Sequence, residues 1–145
     1  MRNEIVMLLG AICTVCHAQL SQDTIDAMTW GAKTKATFHV VDCAGCSVSN
    51  ADMRIVWTYD YKNRSKVLRT KTDEKGIVVI EEKSRGTFTY FLEKDGYYKS
   101  EGKHSFYVRG ETRIKDGRWE PWNPTVNVVL KEKRKPTPMF CGTQK

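Results

Sequence analysis

The chain has 145 residues, with 24 Lys and Arg against 17 Asp and Glu and a formal net charge of +7. That length is enough for one domain that buries its own core without metal or disulfide staples, and it calls for no second one. The positive balance favours anionic partners such as acidic polysaccharide, lipid head groups or nucleic acid, although lysines scattered along a secreted chain are first of all a solvated surface.

At the amino terminus Arg2 precedes an apolar run from Ile5 through Cys16, followed by His17 and Ala18. A bilayer span takes about 20 apolar residues, and this run is shorter and ends in the small-residue site Cys16-His17-Ala18. Residues 1–18 therefore read as a secretory signal peptide cleaved after Ala18, with Glu4 as a departure from the usual basic start. Cys13 follows Ile12 and Cys16 follows Val15, not the small residues that precede a lipid-modified cysteine, so no anchor is expected. The expected location is secreted, periplasmic or extracellular, with no membrane span.

Residues 19–34 are polar, with Ile25, Met28 and Trp30 at mixed spacing, and read as a linker with room for one short helical turn. From Lys35 onward short runs rich in Val, Ile, Thr and aromatics are broken by Gly, Asp and Asn, which predicts antiparallel β structure. In the first strand Ala36, Phe38 and Val40 alternate with Thr37 and His39, turning Phe38 and Val40 to the core. Met53, Ile55, Trp57, Tyr59 and Tyr61 share one face of the second, with Arg54, Val56, Thr58 and Asp60 opposite. Runs 67–72 and 77–81 flank the turn Asp73-Glu74-Lys75-Gly76, whose glycine can supply a positive φ, and together predict a hairpin. Over 86–94 Phe88, Tyr90 and Leu92 point inward, and Asp95-Gly96 makes the next turn. Runs 106–109 and 125–130 are the last strands. Between them lie Asp116-Gly117 and a segment from Trp119 to Pro124, whose two prolines exclude a central strand. Seven short strands predict an all-β, seven-stranded antiparallel sandwich of Ig-like or prealbumin-like type over residues 35–131. Residues 132–145, with Pro136 and Pro138, read as an extended tail.

Val41-Asp42, Gly45, Val48 and Ala51, then Thr70, Thr72-Asp73-Glu74 and Gly76, then Gly86, Tyr90 and Gly96-Tyr97 resemble, in that order, the carboxypeptidase regulatory-like domain. This is a member of the transthyretin-like or prealbumin-like sandwiches. Gly45 and Gly76 relieve tight turns, Val48 and Ala51 are small where strands approach, and Thr72 and Asp73 bond local backbone groups. Gly96-Tyr97-Tyr98-Lys99-Ser100 and Pro136-Thr137-Pro138-Met139-Phe140 are also similar to a bacterial branch of such secreted proteins. The resemblance implies an envelope or extracellular location and no catalysis. The chain departs from the family at Cys43-Ala44-Gly45-Cys46, where the family has a loop without cysteine.

Three cysteines remain after cleavage: Cys43, Cys46 and Cys141. In an oxidising compartment they are disulfide candidates, Cys43 with Cys46 or Cys141 with either, and the odd count leaves one thiol over. With no helix amino terminus beside them, a thioredoxin-type redox role is not expected. His39, Cys43, Cys46 and a folded-back Cys141 are ligand types that zinc accepts, but a strong zinc signature has two close pairs and this chain has one, so no metal and no cofactor is expected. For catalysis only His39 and His104 offer an imidazole near neutral pH, and neither sits in a motif. The hydrolase family built on the transthyretin-like fold ends in Tyr-Arg-Gly-Ser, whereas this chain ends Cys141-Gly142-Thr143-Gln144-Lys145. The chain is therefore expected not to be an enzyme.

The aromatics of two late segments are the functional lead. Tyr97, Tyr98, Trp119 and Trp122, with Arg118 among them, offer apolar faces and a stacking cation for sugar rings or protein hot spots. Against that reading, Trp and Tyr at loop ends commonly cap a sandwich core. The expected function is a non-catalytic module that binds a protein or glycan partner through these loops. A structural accessory role in a larger assembly is the first alternative and a zinc-binding module the second. The basic run 131–135 is interrupted by Glu132 and stands in a secreted chain, so no nucleic-acid partner is expected.

Overall fold

The computed structural model describes residues 21–107 and 113–134. They form two β-sheets packed face to face, with one helix. The organising strand is β1 (Ala32–Asp42), whose alternate residues Ala32, Thr34, Ala36, Phe38 and Val40 are all buried. Its antiparallel neighbour is β4 (Ile77–Ser84). On its other side β9 (Thr125–Leu130) runs parallel to its second half, and the short pair β7 (Ile114–Lys115) and β8 (Arg118–Trp119) meets its start. The second sheet has the order β3 (Ser65–Lys71), β2 (Asp52–Thr58), β5 (Thr87–Glu93) and β6 (Ser100–Ser105), antiparallel throughout. Between the sheets lie Phe38, Val40, Ile55, Trp57, Phe88 and Leu92, each at most 2% exposed. Burial of such a side chain stabilises the fold by roughly 1.5–3 kcal/mol.

The all-β sandwich agrees with the sequence, but its details differ. There are nine strands among the described residues, not seven. The first sheet is mixed, because β9 lies parallel to β1. The runs around Asp73 to Gly76 are not a hairpin, since β3 pairs with β2 and β4 with β1, so the turn is an arch between sheets. Thr72 makes it one: its hydroxyl donates to Val48 O at 2.7 Å and accepts from Ala51 N–H at 2.9 Å, all buried. The second strand ends at Thr58, leaving Asp60 buried and Tyr61 half exposed, the reverse of their expected faces. Asp60 accepts from Lys62 N–H and Arg64 N–H and pairs with the Arg64 guanidinium. Burial opposes its charge, but these bonds from Arg64 and Lys62 outweigh that and hold its carboxyl below the usual carboxylate range. The strand expected at 106–109 is replaced by β6 just before it; residues 108–109 lie outside the described residues.

Within the segment read as linker stands α1 (Gln22–Trp30). Ser21 caps it, its Oγ accepting from Thr24 N–H at 3.3 Å, and Gly31 at φ 79° ends it. It buries only Thr24 and Ala27 and leaves Ile25 and Trp30 exposed, so no apolar stripe marks it in the sequence.

His104 on β6 stacks on Phe88 at 5.2 Å between ring centroids and meets Phe106 edge-on at 4.9 Å. Burial pushes its pKa below the ordinary 6.5. The unfolded chain therefore takes the proton first, and the stability that neutral His104 contributes is lost as pH falls from the unfolded value through the folded one. The urea midpoint is expected to drop between about pH 7 and about pH 5, before the carboxylates titrate. In a His104→Leu variant that slope should flatten, and an unchanged slope would exclude His104 as its source.

Candidate functional site

The Cys43-Ala44-Gly45-Cys46 loop closes the end of β1, and Asp42 builds it. Asp42 Oδ1 accepts from Ala44 N–H at 2.8 Å and from Cys46 N–H at 2.9 Å. The Asp42 carbonyl accepts from Gly45 N–H at 3.1 Å, and Asp42 N–H donates to Cys46 O at 2.9 Å. An Asp bonding backbone two and four residues on fixes a tight turn, and the Val41 to Ser47 bridge continues it. Both cysteines are exposed free thiols; Cys141 lies outside the described residues. Residues three apart in a tight turn approach within about 7 Å between Cα atoms, and a disulfide bridges about 4.4–6.8 Å.

A second wall comes from the turn after β5 and the chain after β9. Tyr98 N–H donates to Lys131 O and Lys133 N–H to Gly96 O, each at 2.8 Å, so the two segments pair. The Tyr97 hydroxyl donates to Glu132 Oε1 at 3.3 Å. Burial, then the charge of Glu132 and this bond to it, with Asp42 and Cys46 nearby, push the Tyr97 phenol above its ordinary value. Tyr97 therefore stays protonated and keeps Glu132 engaged. Between the walls a cleft of about 470 Å³ is lined by Asp42, Cys43, Tyr98, Lys131, Glu132 and Arg134. The Cys43 thiol sits 4.0 Å from Leu130 O at its rim. Two carboxylates of this end are occupied by hydrogen bonds, while Lys131 and Arg134 line the same cleft as Cys43.

The structure separates the residues expected to bind a ligand together. Tyr97 and Tyr98 stand at the Asp42 end of β1, whereas Arg118 pairs with Lys33 at its start. At about 3.3 Å per residue these ends are about 30 Å apart. Trp119 is fully buried, with Nε1–H donating to Ser84 O at 2.8 Å. Trp122 is half buried, with the Arg118 guanidinium 5.2 Å from its ring. His39 and His104 lie on different sheets. Among the described residues no three His, Cys, Asp or Glu side chains could hold a metal ion, so His39, Cys43 and Cys46 form no metal site among themselves; Cys141, the fourth candidate ligand, lies outside the described residues. Nor is any helix among them long and apolar enough to cross a membrane. Sequence reasoning does not single out Asp42, Lys131, Glu132 and Arg134 as site residues; only Asp42, opening an Asp-x-x-Gly turn, carries a signal.

No protein-family model matches the chain, and no curated protein matches it in sequence. Solved structures do share its fold. The 3-chlorocatechol 1,2-dioxygenase of Rhodococcus opacus 1CP matches with a TM-score of 0.54 at 13% identity, over 71% of this chain and 61% of that one. A point mutant of Acinetobacter radioresistens catechol 1,2-dioxygenase matches with 0.53 at 14%, over 79% and 57%. Chlorocatechol 1,2-dioxygenase from Pseudomonas putida matches with 0.52 at 12%, over 70% and 61%. The chain spans about three fifths of these neighbours. At such identity the likeness establishes the fold alone. The expected non-catalytic binding or accessory module is corrected to this extent: solved chains that share the sandwich are dioxygenases, so the fold does not carry that expectation. Burial of Trp119 removes the centre of the surface on which that expectation stood. What the chain does has to be read from its own side chains.

Proposed function

We propose that the Cys43/Cys46 loop is a thiol–disulfide exchange site of a kind other than thioredoxin's, with no helix amino terminus beside it, carried on a sandwich of the carboxypeptidase regulatory-like type in a secreted protein. One observation carries it: two exposed thiols share an Asp42-clamped turn at the rim of a cleft that also presents Lys131 and Arg134. The scaffold assignment is supported by the family-like residues standing where turns need them, Gly45 and Gly76 at φ 82° and 71° and Thr72 at the arch. Secretion, which residues 1–18 suggest, would supply disulfide-bearing substrates.

Cys43 opens onto the cleft, so it is the attacking sulfur. As a thiolate it bonds to one sulfur of an external disulfide and expels the other as a thiolate, leaving a mixed disulfide. Cys46, deprotonated in turn, attacks the Cys43 sulfur and expels the second thiolate. The loop loses two protons and two electrons and gains a disulfide; the external disulfide becomes two thiols. Lys131 and Arg134 stabilise the charge on sulfur as it develops. Tyr97, through its bond to Glu132, ties together the two segments that form the second wall of the cleft.

In a Cys141→Ser background, equilibration in glutathione redox buffers followed by alkylation and mass measurement should show the pair oxidising reversibly. The expected midpoint lies within about −120 to −270 mV, the range of exchange-active protein couples. Cys46→Ser should trap glutathione on Cys43, while Cys43→Ser should not trap it on Cys46. A midpoint below about −300 mV, the region of structural disulfides, or no trapping in either variant, would sink the exchange reading.

A further inference from the structure

We propose that the outer face of the β3-β2-β5-β6 sheet carries a phosphate site formed by Arg54 and Arg69. The two stand directly opposite each other in the antiparallel β2/β3 ladder, both at outward positions, where like charges cost stability. Neither makes an ion pair among the described residues. The carboxylates of the neighbouring row are already taken, Asp52 by Lys71 at 3.3 Å and Glu93 by Lys99 at 2.9 Å. On its other side Arg54 is paired with Phe91 on β5, and its guanidinium carbon lies 4.1 Å from the Phe91 ring centroid. This stacking holds the guanidinium flat and half buried, with its in-plane N–H donors free. A cleft of about 290 Å³ lies over the pair, with the ion-paired carboxylates of Asp52 and Glu93 in its wall beside the two arginines.

Two uncompensated forks side by side suit one group with more than two acceptor oxygens and a double negative charge. A phosphate dianion accepts from both and cancels their repulsion. A carboxylate satisfies one fork and leaves the other charge unmet. The ligand class is therefore phosphate, either inorganic or as the phosphomonoester of a larger molecule. The site shares no residue with the cysteine loop and stands independently of it.

The test is titration of the full chain with inorganic phosphate, with phosphoethanolamine and with acetate at matched ionic strength, followed through the Arg Nε resonances. Saturable shifts at Arg54 and Arg69 with a phosphate-bearing probe support the site, and the tighter of the two probes identifies the source. Arg69→Thr should weaken binding about tenfold or more, the loss of a charge-assisted pair of bonds. The same substitution should raise the urea midpoint of the ligand-free chain, because it removes a like-charge neighbour. Arg54→Lys, which keeps the charge but not the fork, should also bind more weakly. The proposal is overturned if neither phosphate probe shifts these resonances, if acetate binds equally well, or if both variants bind phosphate like the parent.

Discussion

Replacing Trp119 by Ala is expected to cost about 3–5 kcal/mol of stability, the range for emptying a buried aromatic site. The indole is 0% exposed and packs against Phe106 and Tyr107 at centroid distances of 6.2 and 5.3 Å. Its backing is Gly86, at φ 88°, where an added Cβ would stand 2.8 Å from the indole carbons. The indole N–H donates to Ser84 O, and Ser84 Oγ lies 2.6 Å from Thr34 Oγ1 and accepts from Gly86 N–H at 3.1 Å. The ring therefore plugs one end of the sandwich and satisfies a buried carbonyl. Trp119→Phe separates the two contributions: it keeps most of the volume but removes the indole bond to Ser84 O, a carbonyl that also faces Ala32 in the β1/β4 ladder, at about 0.5–1.5 kcal/mol. Urea unfolding measures both. A surface residue used for recognition would give a Trp119→Ala midpoint near that of the parent, and that result would refute the buried role.

Trp119 also illustrates what a sequence can carry. Its neighbours Pro121 and Pro124 mark a connection, and in a two-residue strand no alternation separates core from surface. The long runs are different: Phe38 and Val40, Met53, Ile55 and Trp57, and Phe88 and Leu92 repeat every second residue, and each is buried as that period requires. The strand β6, Ser-Glu-Gly-Lys-His-Ser, escapes the pattern because its inward positions are Gly102 and His104. Gly102 is there because a Cβ would collide with the Tyr90 hydroxyl, a constraint set by another strand. The arch at Asp73 to Gly76 uses the same residues as a hairpin; only the buried bonds of Thr72 to Val48 and Ala51 decide which sheet each side joins. The cysteine turn is legible as a turn, but its approach to Tyr97, Glu132 and Arg134 links segments some fifty or more residues apart in the chain. Likewise the outward positions of Arg54 and Arg69 follow from alternation, whereas their placement opposite each other depends on register, which no local pattern fixes.

Gly76→Ala is expected to destabilise the chain by about 2–4 kcal/mol, near the top of the ordinary range for one substitution. Part of this is conformational: Gly76 has φ 71°, where an L side chain costs about 1–2 kcal/mol. The rest is collision, because an added Cβ would lie inside contact distance of the Val40 carbonyl oxygen and 3.1 Å from Val48 N. Val40 O already accepts from Val48 N–H at 3.0 Å, and Val40 N–H donates to Gly76 O at 2.8 Å, so the methyl group would push apart the strands that the cysteine loop joins. Gly45→Ala provides the control: its φ is 82°, but nothing lies within 4 Å of the added carbon, so only the conformational cost of about 1–2 kcal/mol remains. The difference between the two variants in urea unfolding measures the close approach. Because Val48 is two residues from Cys46, Gly76→Ala should also speed amide exchange at Cys46, whose N–H is otherwise held by Asp42. Equal midpoints for the two variants would mean that the strands yield at no cost, and the loop would then be held by its Asp42 clamp alone.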